Sequence, residues 1–189
     1  DVQTHYVGSH FDPADAEKKI TKNTKAIVLQ HTFGIPAKVD KLLAVAKKHH
    51  LVVIEDCCQA HGAEYKGKRV PKGETGAFSF YPGKNLGSFG DGGALVTDNE
   101  NIAERVRILR NDGSKIKYHH EIIGFKSRLD TIQAAILKEK LKHLPAWNEK
   151  RRKCAQEYNT LLKGLVTTPQ EMPYAKHVYH LYVIQVDKR

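Results

Sequence analysis

The first half of the chain alternates short apolar runs with one stripe of helical spacing. Residues 26–31 (AIVLQH) predict a buried strand, and residues 51–54 (LVVI) predict a second strand that closes in Glu55 and Asp56. The stripe lies between them, at Val39, Leu42, Leu43, Val45 and Ala46. Strand, helix and strand within about thirty residues form a βαβ unit, so we expect the two strands to be parallel. Ligands bind at the carboxyl ends of such strands, which is where His31 and Asp56 lie.

Further elements follow from the same patterns. Residues 76–81 and 93–97 predict strands on either side of a glycine-rich stretch, and residues 99–110 predict an amphipathic helix. The sequence Ser127-Arg-Leu-Asp130 resembles a capping box, which predicts a long helix with Ser127 at its cap. Pro145 is expected to kink or break that helix, and residues 147–162 to resume it. A last strand is expected at residues 177–184. The pattern is that of an α/β protein with a mostly parallel sheet and flanking helices.

Composition changes this picture little. The 189 residues suffice for a buried core, and no apolar run is long enough to span a bilayer. The net charge of +10 is compatible with nucleic acid or with an anionic small substrate. The three cysteines, Cys57, Cys58 and Cys154, fit neither a disulfide framework nor a zinc site, so reduced thiols in a cytoplasm are expected. The first and last residues interrupt patterns, which indicates a piece of a longer protein.

Two side chains stand out for their chemistry before any family is considered. Lys84 lies between Gly83 and Asn85 just after a predicted strand, and a desolvated lysine amine forms an imine with a carbonyl. A surface lysine in a turn is the plain alternative. Asp56 ends an apolar strand, where a carboxylate could hold the charge of a protonated pyridine nitrogen. It could equally cap a helix with its side-chain oxygen.

Four motifs occur in a fixed order along the chain. They are residues 53–63 (VIEDCCQAHGA), 76–87 (GAFSFYPGKNLG), 90–94 (GDGGA) and 127–130 (SRLD). In this order they resemble the DegT-type (DegT/DnrJ/EryC/StrS) family of nucleotide-sugar aminotransferases, which depend on pyridoxal 5'-phosphate (PLP) and have the aspartate-aminotransferase fold. The resemblance covers residues 12–182. It implies a PLP-binding large domain over residues 1–144, incomplete at its N-terminus, and the start of a smaller α+β domain over residues 145–189.

The resemblance also implies a role for each residue of a site. Lys84 would form a Schiff base with PLP and then act as the general base of the reaction. Asp56 would pair with the pyridinium nitrogen, and Gln59 would lie against the ring and reach its phenolic oxygen. Ser79 would donate its hydroxyl to the cofactor phosphate. Relatives that dehydrate sugars carry histidine at the position of Lys84, so lysine favours amino transfer.

Two departures from the family pattern affect these roles. Many members carry asparagine where this chain has Lys126, and that asparagine reaches the cofactor phosphate of the other subunit. A lysine can meet a phosphate as a point charge, so Lys126 is retained as a cofactor-binding residue. The family also binds the phosphate with a turn at a helix start that lies ahead of this chain's first residues. Pro82 and Gly83 resemble the branches that act on 3-keto sugars.

The resemblance therefore implies an enzyme that moves an amino group, taken from L-glutamate, to a nucleotide-linked keto sugar. It implies a homodimer, since the family's active sites form between subunits, and it implies neither a metal, nor nucleic acid, nor a membrane as partner. The alternatives are a catalytically inactive fragment or a non-catalytic relative that acts by binding, and a basic nucleic-acid-binding module. The identity of the sugar, the aminated carbon and the nucleotide carrier does not follow from the sequence.

Overall fold

A computed structural model describes residues 4–5 and 10–186 of the chain, and its elements alternate as the apolar pattern predicts. The helices are α1 (Pro13–Lys18), α2 (Val39–Lys48), α3 (Glu100–Leu109), α4 (Thr131–Leu141) and α5 (Leu144–Leu161), with a 3-10 turn at Thr32–Gly34. The strands are β1 (Thr4–His5), β2 (His10–Phe11), β3 (Ala26–Gln30), β4 (Val52–Asp56), β5 (Glu64–Tyr65), β6 (Lys68–Arg69), β7 (Thr75–Ser79), β8 (Gly93–Thr97), β9 (Ser114–Ile116), β10 (His119–His120) and β11 (Ala175–Lys176).

A four-stranded sheet organises the described part of the chain. Its strand order is β3-β4-β7-β8, with β3, β4 and β7 parallel and β8 antiparallel to β7. The βαβ prediction is confirmed, because β3 pairs with β4 in register from Ala26 opposite Val52 to Gln30 opposite Asp56. The helix between them is α2, as its spacing predicted.

The two faces of the sheet differ in what covers them. One face packs against the apolar stripe of α2 around Leu29, Leu42 and Val53, all of which are buried. On the other face Val28 and Val52 are 56% and 53% exposed. Side chains alternate along each strand, so Asp56 lies on this second, more open face.

The predicted capping role of Ser127 is wrong. The helix α4 begins after Asp130, which occupies the cap position without a side-chain hydrogen bond. The reason is tertiary: the N–H of Phe125 donates to the carbonyl of Leu109, and the N–H of Ser127 donates to the carbonyl of Arg110. These bonds hold residues 125–127 against the end of α3 and delay the helix by several residues.

The predicted break at Pro145 is confirmed. The helix α4 ends at Leu141 and α5 starts at Leu144, so the interruption falls just before the proline. Pro145 then lies in the first turn of α5, where its missing N–H leaves no helical bond unmade.

The predicted strand at residues 177–184 is wrong. The only strand nearby is the two-residue β11, and Tyr179 has a φ of 43°, which no strand permits. The N–H of Val178 donates to the carbonyl of Gly34, and the N–H of Leu181 donates to the carbonyl of Phe33. The segment is thus fixed to the turn after β3 as irregular backbone. The domain boundary at residue 144 stays a prediction.

No helix among the described residues has both the length and the apolar composition that crossing a membrane requires.

Candidate active site

Asp56 and Ser79 lie at the carboxyl ends of two neighbouring parallel strands. Asp56 is opposite Ala77 in the β4–β7 register, and Ser79 is two residues further along β7. Paired residues and alternate residues share a face, so Asp56, Ala77 and Ser79 point to the same side of the sheet. Asp56 caps no helix: its Oδ1 accepts the N–H of Cys58 at 3.0 Å in a turn.

Gln59 is held beside Asp56 by the turn that follows β3. The N–H of Phe33 donates to Gln59 Oε1 at 2.6 Å, and Phe33 adopts a φ of 60° that is uncommon for a residue with a side chain. Because the amide oxygen faces Phe33, the Nε2 group of Gln59 is directed elsewhere as a donor. The backbone between Asp56 and Gln59 forms turns and not a helix.

Lys84 occupies a tight loop immediately after β7. Its N–H donates to the carbonyl of Tyr81 at 2.9 Å, and the N–H of Ser88 donates to the carbonyl of Phe80 at 2.8 Å. The side chain of Lys84 is half-buried, and no described carboxylate forms an ion pair with it. An amine that is partly desolvated and not tied up in a salt bridge is available as a nucleophile.

The charge of Lys84 affects the pKa of residues in two other segments. Burial raises the pKa of Cys58 to about 11, and the nearby Lys84 charge opposes that rise. Burial lowers the pKa of His180, and Lys84 lowers it further. Lys84 is therefore within electrostatic range of the turn that carries Asp56 and Gln59 and of the segment around residue 180.

The donors and acceptors of this edge match the groups of PLP, the cofactor implied by the resemblance. Asp56 Oδ1 accepts the N–H of Cys58, and the carboxylate can also accept a hydrogen bond from a pyridinium nitrogen. Gln59 has an amide donor to spare for a phenolic oxygen. Ser79 Oγ accepts the N–H of Tyr81 at 3.2 Å, which leaves its hydroxyl hydrogen for a phosphate oxygen. Lys84 contributes the amine, so the four residues fit the group.

Lys126 has no described contact with the other four candidate site residues. It is exposed, its backbone forms a bridge with Asn111, and no hydrogen bond or ion pair links it to the site within the described ranges. Its cofactor-binding role stays a prediction.

His31 was expected at the ligand-binding edge, but it is fully buried in the core with Glu55. Its Nδ1 accepts the N–H of Ala37 at 3.1 Å, so its proton is on Nε2, which donates to Glu55 Oε2 at 2.8 Å. The other carboxylate oxygen accepts the N–H groups of Lys72 and Gly73. Cys57 lies close enough to complete a three-residue metal cluster, but the histidine and carboxylate are already engaged. This cluster is structural.

A cavity of 610 Å³ lies on the other face of β7 from Ser79. It is lined by Phe78, Phe80 and Val178 among others, and by His61, which is 3% exposed. Neither ring nitrogen of His61 has a hydrogen-bond partner among the described residues. The cavity is lined mostly by apolar side chains, with Glu64, Arg69, Asn148, Glu149 and Lys176 as further polar members of its lining.

His61 gives a pH-dependence prediction. Burial lowers its pKa from 6.5 to about 4, so between these values the unfolded chain binds a proton that the folded chain excludes. Folding stability therefore falls as pH falls through this window, by about 1.4 kcal/mol per pH unit at the steepest. We expect His61→Phe, which places a third ring beside Phe78 and Phe80, to flatten this slope in urea titrations at pH 4.5–7. An unchanged slope would show that the ring is protonated in the folded protein. His177, whose pKa burial also lowers to about 4, supplies the residual slope.

Gly83 and Gly87 lie on either side of Lys84, and alanine substitutions at the two positions can be compared. A Cβ on Gly87 would overlap the carbonyl oxygen of Pro82 and lie 2.8 Å from that of Tyr81, so the loop would have to move. A Cβ on Gly83 would meet only the Tyr81 ring, at 3.5 Å, an ordinary contact. We expect Gly87→Ala to lower the reaction of Lys84 with PLP by about tenfold or more, given the sensitivity of reacting groups to small displacements. Gly83→Ala should stay within about twofold. Equal effects on the borohydride-trapped adduct would contradict this loop geometry.

Comparison with known proteins places the whole chain in one group. The model of the DegT/DnrJ/EryC1/StrS aminotransferase family matches residues 2–189. Among curated proteins, the chain is 48% identical over 191 residues to the erythromycin biosynthesis sensory transduction protein EryC1 of Saccharopolyspora erythraea, covering 100% of this chain and 52% of that protein. It is 47% identical over 191 residues to the dTDP-3-amino-3,4,6-trideoxy-alpha-D-glucose transaminase of Streptomyces venezuelae, covering 100% and 50%.

A solved structure gives the same result in three dimensions. The S. venezuelae protein DesV, crystallised with a ketimine intermediate, superposes with a TM-score of 0.96 at 46% identity, covering 100% of this chain and 52% of DesV. The chain thus spans about half the length of the relatives that it matches. The aspartate-aminotransferase-like fold expected from the motifs is confirmed.

Proposed function

Because the chain belongs to the DegT/DnrJ/EryC1/StrS aminotransferase family, whose members depend on PLP, we propose that the whole protein transfers an amino group to a nucleotide-linked keto sugar. The observation that carries the proposal is the Lys84 amine. It is half-buried, it has no ion pair with a described carboxylate, and it shares a sheet edge with Asp56, Gln59 and Ser79. A protein that only binds a sugar has no need of these four groups together.

The reaction balances without an external oxidant. The donor's α-carbon loses its amino group and one hydrogen and gains the carbonyl oxygen. The sugar carbon loses that oxygen and gains the amino group and a hydrogen. When bound, PLP supplies the aldehyde carbon that carries the amino group between the two, and a ring that withdraws electrons. We propose L-glutamate as the donor and a 3-keto sugar as the acceptor, supported by the 3-amino sugar in the name of the Streptomyces relative.

The chain's own residues have separate tasks in this proposal. Lys84 Nζ holds the cofactor and moves the proton at the donor's α-carbon. Asp56 Oδ2 keeps a proton on the pyridine nitrogen, because a carboxylate stabilises the positive charge there. Gln59 Nε2 and the Ser79 hydroxyl orient the ring and the phosphate. None of these tasks requires a metal.

The proposed assembly is a homodimer, with Lys126 directed at the phosphate bound by the other subunit. The support is the surface around it: Phe125 is 66% exposed and Ile123 is 94% exposed, and apolar side chains of this size are typical of a covered interface. A mass of twice 21.3 kDa in sedimentation equilibrium is expected for this chain, and a monomer would contradict the assembly. A cytoplasmic location is also proposed, supported by the free thiols of Cys57, Cys58 and Cys154.

The activity is tested by incubating the protein with PLP, glutamate and a panel of dTDP- and UDP-linked 3-keto and 4-keto sugars. Formation of 2-oxoglutarate together with an amino sugar, faster with the 3-keto compounds, is expected. Loss of the sugar's hydroxyl without gain of nitrogen would mean dehydration and would overturn the proposal. The alternative, a non-catalytic binding relative, is not favoured, since Lys84 is retained and its amine has no ion pair with a described carboxylate.

A further inference from the structure

A pair of buried asparagines links the Lys84 loop to distant parts of the chain. Asn85 is 5% exposed and Asn148, on α5, is 6% exposed. Asn85 Nδ2 donates to Asn148 Oδ1 and to the carbonyl oxygen of Val178, both at 2.9 Å. Asn148 Nδ2 donates to the carbonyl oxygen of His61 at 2.8 Å. Both hydrogens of the Asn85 amide are therefore used.

Two backbone carbonyl groups determine how every side chain in this network is oriented. The carbonyl oxygens of Val178 and His61 can only accept, so each must face an amide nitrogen. This leaves Asn85 Oδ1 facing His180 Nδ1, at 3.2 Å. An amide oxygen can only accept, so the proton of the His180 ring is on Nδ1. The network has one consistent arrangement.

The network joins the elements that build the proposed site. His61 belongs to the turns after β4, which also carry Gln59 and directly follow Asp56. Asn85 is covalently next to Lys84, and Asn148 and His180 belong to the second half of the chain. The position of Lys84 relative to the end of β4 is thus fixed by bonds that no local turn supplies.

The charge of His180 is compatible with this role. Burial lowers its pKa, and the charges of Lys84 and Arg151 lower it further, so the ring is neutral near pH 7. A neutral ring donates to Asn85 without placing a second positive charge beside the amine of Lys84.

We propose that Asn85, Asn148 and His180 are positioning residues for Lys84, which hold its loop against α5 and against the segment around residue 180. The inference rests on the proposed function in taking Lys84 as the reacting amine. It adds that the second half of the chain, through Asn148 and His180, sets where that amine lies.

The test is competitive acetylation of the protein with limiting acetic anhydride at pH 8, read by mass spectrometry as the labelling of Lys84 relative to exposed Lys163. Asn148→Ala and His180→Ala leave a buried amide with an unmade hydrogen bond, so the loop should loosen and relative Lys84 labelling should rise by about three- to tenfold. His180→Asn keeps a donor near the Nδ1 position and should remain within about twofold of wild type.

The control is Asn159→Ala, on the same helix. It removes a hydrogen bond of 2.7 Å from the Tyr182 hydroxyl without touching Asn85, so Lys84 labelling should not change. Unchanged labelling in Asn148→Ala and His180→Ala, or an equal rise in His180→Ala and His180→Asn, overturns the proposal. If Asn148→Ala unfolds and labels all lysines, the two His180 variants decide alone.

The labelling uses no cofactor, so it fails independently of the proposed function. The same variants are then mixed with PLP and reduced with borohydride. A wild-type protein that traps no PLP at Lys84 would contradict the proposed function and leave the labelling result standing.

Discussion

Replacing Lys84 with alanine should abolish the borohydride-trapped PLP adduct and lower amino transfer by on the order of 10²–10⁴-fold, the range typical of a lost proton-transferring group. The structure supports this because no other lysine occupies the loop between β7 and β8, which meets the edge formed by Asp56 and Ser79. The measurement is the PLP content of the reduced protein by absorbance, followed by the initial rate of 2-oxoglutarate formation.

The control for this experiment is Lys163→Ala. Lys163 is exposed, and it lies just after the end of α5, in a different part of the chain from the site. We expect it to keep its full PLP content. An adduct that persists in Lys84→Ala, or is lost equally in Lys163→Ala, would show that PLP reacts with surface lysines and not with a built site.

The second large effect is expected at Glu55, next to Asp56 on β4. Glu55 is fully buried and accepts hydrogen bonds from His31 Nε2 and from the N–H groups of Lys72 and Gly73. In Glu55→Gln the new amide group would face either the His31 donor or the two backbone donors. A buried donor left without an acceptor costs about 1–3 kcal/mol, so the free energy of unfolding should fall by about this amount in urea titrations.

Glu17→Gln is the matched control for Glu55→Gln. Glu17 also accepts from a histidine and a second donor, at 2.9 Å from His49 and 2.7 Å from Lys48, but on the protein surface. Exposed pairs contribute little, so no measurable change in the urea midpoint is expected. A similar loss of stability in both variants would mean that the Glu55 network is not rigidly buried.

Local patterns were sufficient for the elements around the sheet. The apolar run correctly predicted β4, and the apolar stripe correctly predicted α2. Every second side chain of a strand and about every fourth side chain of a helix face the core, so both patterns are visible in the sequence. The ring of Pro145 would clash with the carbonyl four residues earlier if α4 continued, so its effect was also visible in the sequence.

Tertiary bonds explain the errors. Ser127 has the residue type of a helix cap, but its backbone is bound to the end of α3. Residues 177–184 have residue types common in strands, yet Tyr179 turns its backbone to a φ of 43° while the segment binds the turn at Gly34. Neither contact has a signal in the local sequence.

The site residues also divide into those that the sequence predicted and those that only the structure revealed. The ordered motifs pointed to Lys84, Asp56, Gln59 and Ser79, whose roles remain predictions that the donor geometry supports. Asn85 adjoins Lys84, but no local signal connects it to Asn148. The two amides are 63 residues apart and meet only when α5 folds back over the loop. Long-range polar networks of this kind require the structure.

The central claim is that Lys84 is the residue that holds PLP. The most direct measurement is peptide mapping of the protein after PLP addition and borohydride reduction, with the modified lysine identified by mass spectrometry. The account predicts one phosphopyridoxyl group per chain, on the peptide that contains Lys84. Modification spread over the exposed lysines, with Lys84 unmodified, would contradict it.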